Sequence, residues 1–288
     1  MLNLLLQTTI ETDPDDWNIA RFSRLGAFLS TLRDGLGRPA FRVTARDRAP
    51  RGKPDPVLST LHESDFDQVW LFAVDTGDGL TPEDCASINQ FWHRGGGLIV
   101  MRDHMDLGSS IRGLHGVGTA HHFHSHNREA DARRHCGDDP ACVHNISWPN
   151  YNSGRNGDFQ RIRSVGSIHP VMRDRWSTTG VIQYLPAHPH EGTVSAPSDN
   201  AHGRVIMEGQ SVVSGRRFNI AVAFERCEHA GRAIAQSTFH HFADYNWDPA
   251  AGCPSFVTEA AGDGMVRFPD ALRSTQQYVR NIASWLNA

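Results

Sequence analysis

Residues 69–101 decide the fold, and they read VWLFAVDTGDGLTPEDCASINQFWHRGGGLIVM. The segment begins with six consecutive apolar residues, Val69–Val74, a pattern typical of a central parallel strand that is buried on both faces. Thr81, followed by a proline and two acids, predicts the start of a helix. Three glycines end that helix, and a second apolar run, Leu98–Met101, follows. The segment therefore predicts a β-α-β unit with a right-handed crossover.

The same alternation extends in both directions along the chain. Apolar runs predict strands at Leu2–Leu6 and Phe41–Thr44, and apolar residues three and four positions apart predict a helix over Trp17–Leu32. Further strands are predicted at Val181–Leu185, Arg204–Met207, Phe218–Phe224 and Gly231–Phe239, and a C-terminal helix at Ala271–Leu286. With no repeat and no low-complexity linker, these elements predict a single α/β domain over residues 1–288.

Residues 108–166 interrupt this pattern. They have little periodicity and are rich in Gly, Asn, Asp and His, so we interpret them as a long irregular insertion over the ligand end of the sheet. The insertion contains Cys136 and Cys142, flanked by His135 and His144. These groups have the chemistry of a structural zinc site, but their spacing is equally compatible with a disulfide or with free thiols.

Composition excludes several classes of function. A net charge of −4 argues against a nucleic-acid partner, since no basic face neutralises phosphate. No apolar run approaches the roughly 20 residues needed to span a bilayer, and the N-terminus lacks the features of a signal peptide, so we expect a cytoplasmic protein without a membrane partner. Thr76–Gly79 is glycine-rich without the spacing of a nucleotide-binding loop, which argues against a nucleotide cofactor. A homo-oligomer is compatible with the sequence.

The candidate functional residues follow predicted strands. Asp103 and His104 come directly after Leu98–Met101, and in an open α/β sheet ligands bind beyond the carboxyl ends of the strands. Seventeen histidines are present, an unusual number. Those at strand ends or in the insertion are His104, the cluster His121, His122, His124 and His126, the pair His188 and His190, and the pair His240 and His241.

Two or three imidazoles with one carboxylate suit Zn²⁺ or Fe²⁺ and leave a position open for substrate or water. We therefore predict a metal site. Its predicted ligands are His104, His122, His190 and His241, and the predicted catalytic residues are Asp103, His104, His190 and Glu191. Two alternatives stay open: a metal-free acid/base site at Asp103 and His104, and histidines that only hydrogen-bond the backbone at crowded strand ends.

Two aromatic–amide clusters, Trp148–Asn152 and Tyr245–Asp248, have the chemistry of a carbohydrate site, since aromatic faces stack on sugar rings and amides bind hydroxyls. Anchoring of loops to the core explains the same residues.

With these residues in place, the chain resembles the class I glutamine-amidotransferase-like superfamily, and most of all its trehalose-utilisation (ThuA-like) branch. The resemblance lies in Val69–Gly79, the helix start Leu80–Glu83, the three glycines before Leu98, the dipeptide His169-Pro170, and Gly231–His241. It implies a flavodoxin-like three-layer sandwich with a mostly parallel central sheet. True amidotransferases carry a nucleophilic cysteine on the turn where this chain has Arg102-Asp103-His104, so hydrolysis of glutamine through a thioester is not expected. Without that cysteine, the role of the superfamily's His/Glu pair does not carry over to His190 and Glu191.

These observations predict a small-molecule enzyme of hydrolase or isomerase type, assisted by a metal held by clustered histidines and acting on a small polar, carbohydrate-like molecule. The competing hypothesis is a non-catalytic small-molecule-binding or scaffolding domain that kept the fold and lost the nucleophile. Convergence of the histidine side chains within metal-bond reach would favour the enzyme over the binding domain.

Overall fold

The structure, a computed structural model, describes residues 1–125, 150–198 and 200–287. Strands lie at each predicted apolar run, and two short strands that were not predicted, Phe159–Arg161 and Arg163–Ser164, lie inside the predicted irregular insertion. The strands are β1 (Leu2–Thr8), β2 (Phe41–Arg46), β3 (Gln68–Phe72), β4 (Gly97–Met101), β5 (Phe159–Arg161), β6 (Arg163–Ser164), β7 (Tyr184–Pro186), β8 (Gly203–Gln210), β9 (Arg217–Phe224) and β10 (Ala233–Gln236). The α-helices are α1 (Ser23–Thr31), α2 (Pro82–His93), α3 (Val117–Ala120), α4 (Asp244–Trp247), α5 (Gly264–Arg267) and α6 (Pro269–Trp285). Short 3-10 helices occupy Ile19–Phe22, Leu58–Glu63, Ser109–Gly113, Pro170–Met172, Phe239–His241 and Pro249–Ala251.

The central sheet has eight strands in the order β2-β1-β3-β4-β10-β9-β8-β6. The first five are parallel, with β10 beside β4. The predicted flavodoxin-like, mostly parallel α/β architecture is therefore confirmed. β5 and β7 form a separate two-stranded antiparallel sheet.

The last three strands of the large sheet are antiparallel. The reason is the length of the connections. Only a short segment joins Gln210 to Arg217, and another joins Phe224 to Ala233, whereas a parallel neighbour needs a crossover of a dozen residues or more.

The core lies on both faces of the sheet, because alternate residues of each central strand point to opposite sides. In β3, Trp70 and Phe72 pack in one hydrophobic cluster together with α1 and α6. Their neighbours Val69 and Leu71 pack in a second cluster with α2 and α3. The result is three layers, helix on sheet on helix.

Helix α1 is shorter than its periodicity predicts. The chain from Ile19 to Phe22 forms a 3-10 turn, and the α-helix starts only at Ser23. There the carboxylate of Asp244 accepts hydrogen bonds from the backbone N–H groups of Ser23 and Arg24, at 3.1 and 2.8 Å. This cap comes from α4, far away in sequence, and local pattern does not reveal it.

Polar residues of the candidate site lie at the carboxyl edge of the parallel strands. Since β4 and β10 are parallel neighbours, Asp103 after β4 meets the 3-10 turn Phe239–His241 after β10. The segment after β7 carries His188 to the same edge. The central part of the predicted insertion, residues 126–149, lies outside the described residues, and with it His126, Cys136, Cys142 and Trp148.

Candidate metal centre

The turn after β4 is built by Arg102, whose side chain is fully buried. Its guanidinium donates to the backbone carbonyl oxygens of Met105, Leu107 and His122. Met105 takes a left-handed φ of 49° in this turn. Three carbonyls bound to one rigid cation hold the turn in a single shape, and the turn in this shape presents the carboxylate of Asp103 at the carboxyl edge.

Asp103, His188 and His240 converge at this edge. Oδ2 of Asp103 lies 3.2 Å from Nε2 of His188 and 3.7 Å from Nε2 of His240. The two imidazole rings stack face to face, with centroids 3.6 Å apart and an interplanar angle of 12°. All three residues are buried, and they form the one group with metal-ligand geometry among the described residues.

Two asparagines fix the protonation of these imidazoles. Nδ1 of His188 lies 2.8 Å from Oδ1 of Asn156, and Nδ1 of His240 lies 2.9 Å from Oδ1 of Asn246. The Asn246 amide donates to the carbonyl oxygen of Ala187 at 3.0 Å and to Oδ1 of Asn156 at 2.8 Å.

The carbonyl of Ala187 only accepts, so the Asn246 atom that faces it is its NH₂ group. Oδ1 of Asn246 then faces His240, and Oδ1 of Asn156 faces His188. Both imidazoles must therefore carry their proton on Nδ1, and both Nε2 lone pairs point towards Asp103. Ligand histidines in metal sites are oriented by such hydrogen bonds to the distal nitrogen.

Two lone pairs and a carboxylate oxygen in mutual contact repel one another unless a cation lies between them. Around a tetrahedral Zn²⁺ with bonds of 2.0–2.1 Å, ligand atoms sit about 3.3 Å apart. The two measured separations from Asp103, 3.2 and 3.7 Å, lie close to that value. Oδ1 of Asp103 is buried and finds no hydrogen-bond partner in the described part of the chain. The donor set thus fits a divalent ion such as Zn²⁺ or Fe²⁺.

The electrostatics favour the metal-binding form of both imidazoles. The pKa values of His188 and His240 are lowered well below 6.5, chiefly because burial disfavours the imidazolium, and further because other imidazoles lie nearby, His190 for His188 and His188 for His240. Both rings are therefore neutral at pH 7, as metal ligation requires.

A cavity of about 330 Å³ opens onto this group. His104 and His190 line it beside the three converging residues, with their ring centroids 5.7 Å apart. Burial lowers the pKa of His104 to about 4. Nε2 of His190 bonds Oε1 of Glu259 at 3.0 Å, so this nitrogen carries the proton. Nδ1 of His104 and Nδ1 of His190 are both buried, and neither has a hydrogen-bond partner among residues 1–125, 150–198 and 200–287.

Other predicted site residues lie away from the cavity. Glu191 and His241 are fully buried and bond each other, with Oε1 and Nε2 3.0 Å apart. The Glu191 carboxylate also accepts from the hydroxyls of Ser153 and Ser237, at 2.7 and 2.9 Å. This network joins the segment that carries His188 to the turn that carries His240. His122 bonds Ser195 through Nε2 at 2.8 Å, also outside the cavity.

The structure thus brings together Asp103, His104 and His190 of the predicted set, and does not bring His122, Glu191 and His241 to them. The sequence prediction named His241, whereas the structure places His240 of this pair beside Asp103, because adjacent residues of a short turn point in different directions. It also omitted His188 and the two orienting asparagines. The sequence did contain one signal for the orienting asparagines, because Asn246 belongs to the aromatic–amide cluster Tyr245–Asp248.

Similarity to one solved structure, a ThuA-like protein, supports the architecture. A ThuA-like protein from Bacteroides uniformis is similar over 99% of this chain and 91% of its own, with a TM-score of 0.50 and 12% identity. A second ThuA-like protein, from Parabacteroides merdae, covers 100% of this chain and 90% of its own, with a TM-score of 0.48 and 15% identity. The carbohydrate deacetylase Agd3 is similar over 82% of this chain but 29% of its own, with a TM-score of 0.42 and 13% identity.

The fold is a layered α/β structure with polar groups at the carboxyl edge of its parallel strands. Its likeness to the ThuA-like protein from Bacteroides uniformis, at 12% identity, is a likeness of fold. No protein-family model and no curated protein sequence matches the chain. Among the described residues, no helix has the length and apolar character to cross a membrane.

Proposed function

We propose that this protein is a metal-dependent hydrolase of a small polar molecule, with Zn²⁺ or Fe²⁺ held by Asp103, His188 and His240. One observation carries the proposal: both imidazoles are fixed with their Nε2 lone pairs towards the Asp103 carboxylate. Three protein ligands leave a coordination position for water or substrate, as in catalytic zinc sites.

The bound ion would lower the pKa of its water to about 7 and polarise the substrate carbonyl. His190 lines the same cavity and has Nδ1 available, because Nε2–H is donated to Glu259. In the proposed reaction His190 accepts the proton of the attacking water and returns it to the leaving group. His104 is kept neutral by burial and so has a single N–H; in the proposed reaction that proton lies on Nδ1 and is donated in a hydrogen bond to the oxygen on which negative charge develops.

The chemistry of the walls favours an ester or amide of a polar, carbohydrate-like molecule. Thr76 and Asn156 supply hydroxyl and amide groups, and Trp17 and Phe256 supply aromatic faces. Phe256 is 57% exposed while lining the cavity, an arrangement that suits stacking on a ring of the substrate. Water activated at the ion would take the place of the cysteine nucleophile of amidotransferases. We therefore propose hydrolysis rather than amide transfer.

The test is metal binding by protein prepared without a histidine tag. We expect one equivalent of Zn²⁺, or of Fe²⁺ under anaerobic conditions, to bind the wild type with micromolar affinity or better in calorimetry. Asp103→Asn and His240→Ala should each lose that binding. His202→Ala, which changes an exposed histidine, serves as the matched control and should retain it.

Activity is tested with 4-nitrophenyl acetate and a panel of N-acetylated and O-acetylated sugars. We expect hydrolysis that a chelator abolishes and that added metal restores. Binding of the metal without turnover of any member of the panel would favour the non-catalytic binding domain. Failure of the wild type to bind a divalent ion would overturn the metal site itself.

A further inference from the structure

The cavity at the metal centre continues into a second one. The second cavity, about 270 Å³ in volume, lies at the carboxyl ends of β1 and β3. The two share Asp16, Val74 and Thr76 as lining residues, so they form one cleft with two compartments. A substrate bound at Asp103 can therefore extend into the second compartment.

The second compartment is acidic. Its lining includes two arginines and five carboxylates, those of Glu11, Asp13, Asp16, Asp75 and Asp78. Both arginines are already paired. Arg51 binds the carboxylate of Asp78, and the buried Arg48 bonds Asp84 at 3.0 Å together with two backbone carbonyls. Four of the five carboxylates form no ion pair with an arginine or lysine of the described chain.

Apart from the proposed metal ion, the compartment at the metal centre adds no cation among its described lining residues. No arginine or lysine is among its described lining residues, and Asp16 and Glu259 contribute negative charge to its walls. The pKa of Asp16, at the junction of the two compartments, is raised chiefly by burial and further by repulsion from the nearby carboxylates of Asp13 and Asp15. A cation bound there would relieve that repulsion.

Two buried polar atoms in the compartment at the metal centre point to a ligand bound there. Oδ1 of Asp103 and Nδ1 of His190 belong to side chains more than nine-tenths buried, and neither atom has a hydrogen-bond partner in the portion of the chain that the structure describes. Buried polar atoms without partners are costly and usually await one. Both residues line the compartment that opens onto the acidic one.

We propose that the substrate carries a protonated amine, which binds in the acidic compartment while the scissile ester or amide lies at Asp103. The inference rests on the proposed function and narrows it to cationic substrates. Substrates with a carboxylate or phosphate in that position are repelled, because both arginines among the described residues of the acidic compartment are paired with carboxylates and the proposed metal ion lies in the other compartment.

The experiment uses hydroxamic acids, which chelate a catalytic ion, on the zinc-loaded full-length protein. Three series with chains of three to eight carbons end in a methyl group, an ammonium or a carboxylate. At the best chain length, we expect the ammonium compound to bind about fivefold more tightly than its methyl counterpart, a preference typical of one ion pair, and the carboxylate compound to bind more weakly. The preference should shrink at high salt.

Asp16→Asn should reduce the ratio of the ammonium to the methyl affinity. Glu63→Gln, which removes an equally negative but remote and exposed carboxylate, should leave that ratio unchanged. Equal binding of the three series at every length would overturn this inference and leave the hydrolase proposal standing. If no hydroxamate binds the zinc-loaded protein, the proposed function fails instead. A second equivalent of metal, lost in Asp16→Asn, would assign the acidic compartment to an inorganic cation and also overturn the inference.

Discussion

At the scale of single residues, the asparagines behind the imidazoles determine whether this edge can bind a metal. Oδ1 of Asn246 accepts a hydrogen bond from the Nδ1–H group of His240. Through its hydrogen bond to Asn156, Asn246 also sets the tautomer of His188. A histidine without such a partner rotates and shares its proton between both nitrogens. The amide pair therefore matters as much as the ligands themselves.

Asn246→Leu should weaken zinc binding about 10- to 100-fold, because His240 loses the acceptor that orients it. Asn246→Asp keeps an acceptor for Nδ1 and should retain more of the affinity than the leucine variant does. Competition with a chromophoric chelator measures both values. Equal affinities of the wild type and Asn246→Leu would show that the asparagine does not orient the ligand.

The buried pair of Glu191 and His241 belongs to the same scale. Glu191→Gln would place an amide NH₂ against donors that now serve a carboxylate, so at least one buried hydrogen bond is lost. Hydrogen bonds to a charged group contribute about 1.5–3 kcal/mol, and we expect the free energy of unfolding to fall by about that amount. Urea denaturation of the metal-free protein measures it. An unchanged midpoint would mean that the carboxylate contributes nothing to stability.

At the scale of elements, the site depends on how closely two segments approach the turn after β4. Gly192 lies where a Cβ atom would come within 2.7 Å of the Asp103 carbonyl oxygen and 2.6 Å of the Ser237 carbonyl oxygen. Only a residue without a side chain allows this three-way contact. This contact joins the segment that carries His188, the turn after β4 and the end of β10.

Gly192→Ala should therefore disturb the metal centre although it changes no ligand. Forcing a methyl group into a packed contact costs about 1–3 kcal/mol, and the segment must move away from Asp103. We expect a lower melting temperature and weaker zinc binding. Gly35→Ala, at a position with open space around it, is the matched control and should alter neither. Normal zinc affinity in Gly192→Ala would show that the close approach is dispensable.

At the scale of the whole molecule, buried neutral histidines make stability depend on pH. Burial lowers the pKa of both His104 and His169 to about 4, and those of His121, His188 and His240 lie well below 6.5. In the unfolded chain each histidine titrates near 6.5. Between about pH 6.5 and 4 the unfolded state binds more protons than the native state, so stability falls as the pH falls.

The metal-free protein should thus have its highest melting temperature near neutral pH and lose stability progressively below about pH 6.5. Calorimetric scans from pH 8 to pH 4 measure the effect. The stabilisation by added zinc should also shrink in acid, since protons compete for the same nitrogen atoms. A constant melting temperature between pH 7 and pH 5 would contradict the buried neutral state of these histidines.

By itself the sequence determined the layered architecture and the edge of the sheet at which polar groups gather. Runs such as Val69–Val74 are typical of strands buried on both faces, and a polar turn after a strand places Asp103 at the carboxyl end. These features are local, because they depend on residues adjacent in the chain. The antiparallel edge at β9 is also local, since short connections impose it.

Only the tertiary structure decided which histidines share the site. His240 and His241 are adjacent, yet one lines the cavity and the other is buried against Glu191. Their directions follow from backbone angles that distant contacts impose, among them the approach of Gly192 to Asp103. Side-chain direction in an irregular turn has no period along the sequence, so the ligand set emerges only when separate segments pack against one another.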